Sequence, residues 1–335
     1  MPHTNALFTK FQSLRNQAAE DGHFTVVSID DLPHKLGVSM EGFPMFFVKT
    51  NPSASSVQNI IREILSVEYN VSCVLIDESG SSHDDTFCII TLRSLDSPLQ
   101  SYFIEIFRMM LQKLQSMPSN RELSVEIENL IAIFDSLTNP PKKKIQGLWA
   151  ELLVIEQSTN PEILINAWHS IPSAKYDFTH GRDKIEVKST SSEERIHKFS
   201  LDQLNPSPNS RLLIASVIVR ESGPAADGLS VRGLYDRILE RVADLNSRIR
   251  LYTVIAETIG SDIAKLENVY YDYTAAADSL EYYDYRKVPC ISKTNVPSLV
   301  TEVRFTSNLN GLINALNNES SIADMESSPL FRSLK

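Results

Sequence analysis

The sequence predicts a mixed α/β fold, α+β overall, on three observations. β-rich runs bounded by turn residues recur in the N-terminal part, at residues 23–30, 43–50, 71–78 and 86–94. Two stretches with helical spacing of apolar residues follow within residues 98–137. After residue 144 the elements alternate as helix, three strands, helix, strand. We therefore expect an N-terminal α+β domain followed by a domain built on an αβββαβ core.

The N-terminal domain is expected to hold a small sheet with covering helices. An amphipathic helix is predicted over residues 7–17, and another at about residues 55–66. Residues 79–85, SGSSHDD, are typical of a hairpin turn, which explains the His-Asp-Asp cluster without a metal. Asn139-Pro140-Pro141 ends the helical stretch, so we predict that residues 138–144 form a hinge.

The second part begins with an apolar helix over residues 145–159. Three strand candidates follow, AWHS (167–170), KYDF (175–178) and DKIEVKST (183–190), and RIHKFSL (195–201) is expected to extend their sheet. LDQL forms a predicted short helical turn that Ser200 would cap. Residues 211–221 are nearly all apolar, as in a strand buried on both faces, and a helix is predicted at about 229–247.

Composition excludes several classes of protein. The chain has 335 residues, of which 42% are hydrophobic and 22% charged, as in an ordinary globular protein. It lacks an apolar run long enough for a membrane span and a secretory signal at the N-terminus. The three cysteines are scattered, which favours buried thiols over a disulfide framework or a zinc site. We therefore expect a cytoplasmic protein without membrane association.

The charge distribution is uneven along the chain. The net charge of −10 argues against bulk affinity for nucleic acid. Residues 141–220, however, carry 11 Lys/Arg and 9 Asp/Glu, whereas the whole chain carries 32 and 42. This balance is compatible with a local surface that faces DNA.

The strongest candidate site lies in residues 175–190, KYDFTHGRDKIEVKST. Glu186 and Lys188 point to one face of a strand, and a hairpin at Gly181 would bring Asp177 to the same edge. This is the one place in the sequence where an acidic residue stands two positions before a lysine. Two carboxylates and an amine at one point suit a divalent cation beside a water molecule. The alternative is an ion pair on an edge strand, which contributes little to stability.

This region resembles a known family. The segments GLWAELLVIE, W, YDF, IEVKST and KFSLDQL are similar to the PD-(D/E)XK nuclease superfamily, most of all to the PD-(D/E)XK motif proteins of bacterial defence clusters. The resemblance covers residues 145–221 and implies a restriction-endonuclease-like αβββαβ core. We therefore predict an N-terminal α+β domain (1–140), a nuclease core (141–255) and a C-terminal α+β extension (256–335). The extension is expected to pack on the core or on the N-terminal domain. Tyr176 precedes Asp177 at the position where the PD-(D/E)XK motif has proline. The Gln-x-x-x-Tyr pattern typical of an exonuclease subgroup is absent.

The resemblance also implies a role for each residue. Asp177, Glu186 and the Val187 carbonyl would bind Mg²⁺, for which Mn²⁺ would substitute, and Glu151 would bind it directly or through water. Lys188 would orient or help to deprotonate the attacking water. The predicted supporting or substrate-binding residues are Gln203, Ser189, Thr190 and Lys142.

The residues themselves leave alternatives open. Glu151 could be a solvated helix position, and Gln203 a capping or turn residue. The three histidines of this region fit turn or strand-surface positions better than substrate contacts, and Trp168 fits the core. The lysines at 142–144 fit a solvated hinge as well as a phosphate contact.

The function implied is that of a Mg²⁺-dependent endonuclease acting on double-stranded DNA within a bacterial restriction-like, anti-phage defence system. Other proteins of that system and a second copy of the chain are expected partners. The alternative is a catalytically silent nuclease-fold subunit that binds DNA or supports assembly, and a weaker one is action on RNA. No G-x-x-x-x-G-K-[ST] motif is present, so this chain is not expected to drive ATP-dependent translocation.

Overall fold

A computed structural model describes residues 6–14, 23–51, 57–170, 175–225, 227–317 and 327–334. The chain divides into two compact units, residues 1–140 and 141–335. Each unit combines sheets with helices, so the mixed α/β fold is confirmed. Within the described ranges, no helix is both long and apolar enough to cross a membrane.

The first unit is built on a six-stranded sheet in the order β1-β2-β3-β6-β5-β4. Its strands are β1 (His23–Ser28), β2 (Lys35–Val38), β3 (Pro44–Val48), β4 (Ile60–Ile61), β5 (Leu65–Ile76) and β6 (Ser82–Leu92). The first half of β1 also pairs with β5 in parallel, while its second half pairs with β2. The sheet therefore closes on itself through β1.

Strand β3 shows how this sheet buries both of its faces. All five of its residues are buried. Because successive side chains alternate, Phe47 joins a cluster with Val26 and Leu75 on one face. Phe46 faces the other way, and its ring centre lies 4.8 Å from that of Phe107 in an edge-to-face contact.

Three helices complete the described part of the first unit: α1 (Ala6–Leu14), α2 (Ser97–Lys113) and α3 (Asn120–Ser136). Asp96 caps α2, and Ser119 and Glu122 form a reciprocal capping box at α3. The helix predicted at 55–66 is wrong for residues 57–66, where β4 and the start of β5 pair instead. The β-branched pair Ile60-Ile61 favours the strand; residues 55 and 56 lie outside the described ranges.

The second unit holds a four-stranded sheet in the order β14-β10-β8-β7. The described ranges of the second unit contain nine strands: β7 (Phe178–His180), β8 (Asp183–Thr190), β9 (Ile196–Ser200), β10 (Arg211–Ile218), β11 (Glu221–Ser222), β12 (Gly228–Ser230), β13 (Tyr270–Asp272), β14 (Glu281–Asp284) and β15 (Arg304–Asn308). β7 and β8 form a hairpin, and Gly181 in its turn has a φ of 58° that favours glycine. β8 runs parallel to β10, whose six central residues are all buried as predicted.

The helices of the second unit are α4 (Ile145–Gln157), α5 (Pro161–Ala167), α6 (Val231–Glu240), α7 (Leu245–Ile259), α8 (Lys265–Asn268), α9 (Tyr273–Asp278) and α10 (Pro329–Arg332) in the described ranges. Residues 148–156 of α4 are buried on every side, so that the two carboxylates of this stretch, Glu151 and Glu156, are buried with its apolar residues. Helix α7 runs across residue 255, where the sequence predicted a domain boundary.

Two predicted elements of the second unit differ from the structure. AWHS is not a strand: α5 runs to Ala167, and Trp168 forms a single bridge with Phe178. RIHKFSL does not extend the main sheet, because β9 pairs with β15 from the C-terminal part. LDQL forms the predicted turn, and Gln203 N–H donates to the Ser200 carbonyl and to Ser200 Oγ, which caps the turn as expected.

Candidate active site

The β7–β8 hairpin brings Asp177, Glu186 and Lys188 together. Asp177 precedes β7, and its Oδ2 accepts a hydrogen bond of 2.7 Å from the Val187 backbone N–H, two residues beyond the point where β8 stops pairing with β7. Glu186 Oε1 lies 2.8 Å from the Lys188 ammonium. Both carboxylates are buried, at 6% and 4% exposure, which excludes the alternative of a solvated ion pair on an edge strand.

Helix α4 delivers Glu151 to the same place. Its side chain is only 2% exposed, so the solvated helix position is excluded. The Trp168 indole N–H donates to Glu151 Oε2 at 2.7 Å, and His169 Nε2 lies 3.0 Å from the same oxygen. These contacts fix the orientation of a carboxylate that helix packing alone would bury without a partner.

The residues that hold this orientation were not predicted as site residues. His169 has a φ of 40°, a left-handed conformation that is rare for histidine and often marks a functional constraint. Its backbone N–H donates to the Asp177 carbonyl at 2.9 Å, and Arg250 donates to the Trp168 carbonyl at 2.5 Å. The residue types of this turn carry no sign of its conformation beyond the histidine itself.

Lys143 is the second unpredicted site residue. Its ammonium lies 2.5 Å from Glu151 Oε1, 2.5 Å from Asp177 Oδ1 and 3.4 Å from His169 Nε2. Lys142, the lysine predicted to support the site, points elsewhere and lies 3.4 Å from Glu257. Lys142 also donates its backbone N–H to the Thr258 carbonyl, and this bond directs its side chain away from the carboxylates.

Gln203 connects Glu186 and Lys188 of β8. Its Oε1 accepts hydrogen bonds from Lys188 Nζ at 3.3 Å and from Ser200 N–H at 3.1 Å, and its Nε2 donates to Glu186 Oε1. Both expectations for this residue therefore hold in part, since it closes a turn at Ser200 and also contacts Lys188.

These groups surround one cavity of about 540 Å³. Its lining combines three carboxylates with four lysines: Glu151, Asp177, Glu186, Lys143, Lys144, Lys175 and Lys188. Among the described residues, Val187, Ser189 and Gln203 also line the cavity, whereas Thr190 and Lys142 do not. The side-chain amide of Gln146 on α4 donates a hydrogen bond of 3.3 Å to Ser189 Oγ.

The electrostatics of the three acids differ. Burial and the charge of Asp177 raise the pKa of Glu186 to about 8, although Lys188 opposes the shift. Burial and the charge of Glu151 likewise raise the pKa of Asp177. Burial also opposes the charge on Glu151, but the hydrogen bond from His169 and the charge of Lys143 lower its pKa to about 2. Crowded carboxyl groups with pKa values driven apart are typical of catalytic sites.

A family model described as "Putative PD-(D/E)XK family member, (DUF4420)" matches residues 10–310. The chain belongs to this family. It is thus a member of the PD-(D/E)XK superfamily, whose members are mostly nucleases and typically use divalent metal ions. No curated protein and no solved structure matches the chain significantly.

The three buried carboxylates that line the cavity, Glu151, Asp177 and Glu186, fit a divalent cation. Ligand atoms of Glu151, His169 and Asp177 all lie within 4.8 Å of one another. Carboxylate oxygens suit Mg²⁺ and Mn²⁺, and an imidazole nitrogen suits Mn²⁺ better than Mg²⁺. The Lys143 ammonium lies among these atoms, so the position already accepts a positive charge.

Proposed function

We propose that the protein is a Mg²⁺-dependent DNA endonuclease of a bacterial restriction-like defence system. The observation that carries the proposal is the convergence of three buried carboxylates and two lysines on one cavity of a PD-(D/E)XK family member. A fold that needed only stability would not gather buried like charges at one point. The defence role rests on the resemblance of the sequence motifs.

Each side chain has a place in phosphodiester hydrolysis. Asp177, Glu186 and the Val187 carbonyl would hold the metal ion, with Glu151 beside them. The bound ion would acidify water and offset negative charge on the phosphate. Lys188 is positioned by Glu186 and Gln203 to orient the attacking water or to neutralise charge on the phosphate. The β7, β8 and β10 strands with α4 would then be a reduced form of the αβββαβ core.

A group of lysines around Lys175, which lines the cavity, supports a polyanionic substrate. The ammonium groups of Lys175 and Lys184 lie 5.3 Å and 5.8 Å from the centre of the Tyr176 ring. Lys293 lies near them, 2.6 Å from Asp202 Oδ1. Burial, with the neighbouring charges of Lys293 and Lys184, lowers the pKa of Lys175. This basic rim, formed by Lys175, Lys184 and Lys293, would contact the DNA backbone in a chain whose net charge is −10.

Cleavage of supercoiled plasmid tests the proposal. The wild type and the Asp177→Asn and Lys188→Met variants are incubated with plasmid and Mg²⁺, Mn²⁺ or a chelator. We expect metal-dependent nicking that each substitution reduces by roughly 10²-fold or more. Asp262→Asn and Lys265→Met provide matched controls, because these residues form an exposed ion pair in the same unit.

The result also separates the alternative function. Equal plasmid binding by wild type and variants, without cutting in any metal, would identify a catalytically silent DNA-binding subunit. Cutting of single-stranded RNA in preference to the plasmid would identify an RNA nuclease. Nicking that Asp177→Asn and Lys188→Met retain in full would contradict the proposed site.

A further inference from the structure

The position of Lys143 distinguishes the two sides of the proposed site. On one side, its ammonium bridges Glu151 Oε1 and Asp177 Oδ1, at 2.5 Å from each. On the other, Glu186 contacts Lys188 and Gln203, while Asp177 Oδ2 is held by the Val187 N–H. The carboxylates therefore form a Glu151–Asp177 side that one lysine bridges, and an Asp177–Glu186 side where Lys188 forms an ion pair with Glu186 alone.

The backbone holds Lys143 in place from both directions. The residue before it donates its N–H to the Thr258 carbonyl at 2.9 Å. The residue after it, Lys144, is the N-cap of α4 and accepts a hydrogen bond of 2.9 Å from Gly147 N–H. A lysine with both neighbours anchored loses less freedom on binding two carboxylates than a lysine in a mobile loop.

Charge favours a lasting contact. Glu151 and Asp177 are 2% and 6% exposed, so each needs a positive partner at close range. Lys143 meets both needs, because its ammonium lies 2.5 Å from an oxygen of each carboxylate.

We propose that Lys143 is a built-in cation on the Glu151–Asp177 side, so that the site takes one divalent ion, on the Asp177–Glu186 side. This inference rests on the proposed nuclease site and specifies which cation neutralises each pair of carboxylates. Lys143 is thus a positioning residue: it holds two carboxylates at the distance that a second metal ion would otherwise set. A site with two exchangeable metals would need both carboxylates free of the lysine.

Counting bound Mn²⁺ tests the proposal directly. Purified full-length protein is titrated with Mn²⁺, and free and bound ions are separated by their electron paramagnetic resonance signals. We expect one Mn²⁺ per wild-type chain and one for Lys143→Arg, which retains the cation. Lys143→Met should bind two, because the freed Glu151–Asp177 side then accepts an ion. Lys144→Met is the matched control, since Lys144 lines the same cavity; it should bind one.

A second measurement uses the wild type alone and does not depend on a variant that folds. Lysine side chains are labelled by reductive methylation with and without saturating Mn²⁺, and the labelled peptides are identified by mass spectrometry. Lys143 should stay protected in both conditions, whereas Lys265 should be labelled in both.

The other outcomes each decide a point. Two ions on the wild type would overturn the inference and leave the nuclease site intact. One ion on both wild type and Lys143→Met would also overturn it. If the variant then bound that ion more tightly, and if Lys143 of the wild type were labelled only in the presence of Mn²⁺, the lysine would be competing with the metal ion for one position. No bound ion on the folded wild type would overturn the proposed metal site itself.

Discussion

Two acids of strand β8, Asp183 and Glu186, are equally buried at 4% exposure but have opposite environments. Asp183 forms a two-point ion pair with Arg211, at 2.5 Å from Nε and 2.7 Å from Nη2. Burial opposes the charge on Asp183, but the bonds from Arg211 lower its pKa. Burial and Asp177 instead raise the pKa of Glu186.

The difference shows how one strand can serve both stability and chemistry. At the start of β8, an acid faces one arginine across the parallel pair with β10, and their charges balance. Three residues later, an acid faces another acid, and two lysines are shared among three carboxylates. Charges that do not balance within the fold are those available to a metal ion or a phosphate.

The largest expected effect is on cleavage. Lys188→Met should lower the rate of plasmid nicking by roughly 10²-fold or more, because the ammonium that contacts Glu186 is removed while the side-chain volume is kept. The change is measured as a single-turnover nicking rate, with wild type and variant at the same concentration of folded protein. Unchanged nicking, with Lys265→Met also unchanged, would remove Lys188 from the chemistry.

The next effect is on stability. Asp183→Asn should lower the free energy of unfolding by about 3 kcal/mol, because it removes the negative charge from a buried ion pair with Arg211. Urea denaturation measures the change, and the folded fraction should cleave DNA at the wild-type rate. A stable variant that no longer cleaves would mean that Asp183 belongs to the site.

How far the sequence predicts this site depends on the range of the interactions. Asp177, Glu186 and Lys188 were found because strand alternation and a hairpin are local patterns. Choosing Lys143 over Lys142 was not possible, because the backbone bond from Lys142 to Thr258 links segments far apart in the sequence.

The same limit applies to the fold. The buried strand β10 was predicted from its own composition. The partner of β9 was not, because β15 lies about a hundred residues later and its register is set by pairing rather than by local pattern. The role of His169 was not predicted either, because a single histidine is too weak a signal to indicate a left-handed φ.

A smaller effect is expected at the basic rim. Lys175→Ala, Lys184→Ala and Lys293→Ala should each reduce the slope of log binding constant against log salt by about 1, because each lysine would neutralise one phosphate. Fluorescence anisotropy on an Asp177→Asn background measures binding without cleavage. Slopes equal to that of Lys265→Ala would mean that DNA follows another path.

The smallest effect concerns acid pH. Because the pKa of Asp183 is lowered in the folded state, its ion pair stabilises the protein fully above the ordinary value of 3.8, and this stability is lost as the pH falls from there through the lower folded-state pKa. The melting temperature of the metal-free protein, measured from pH 7 to pH 3, should therefore fall more steeply for wild type than for Asp183→Asn. Parallel curves would contradict the depressed pKa.

Glu186→Gln tests the central contrast most directly, with one sample examined for Mg²⁺-dependent plasmid cleavage and for its melting temperature. The substitution keeps the size of the side chain but removes a buried acid that lies beside another acid. Cleavage should be lost, and the melting temperature should hold or rise, the reverse of Asp183→Asn. A variant that still cleaves, with a melting temperature lowered as far as that of Asp183→Asn, would show that Glu186 serves stability rather than hydrolysis.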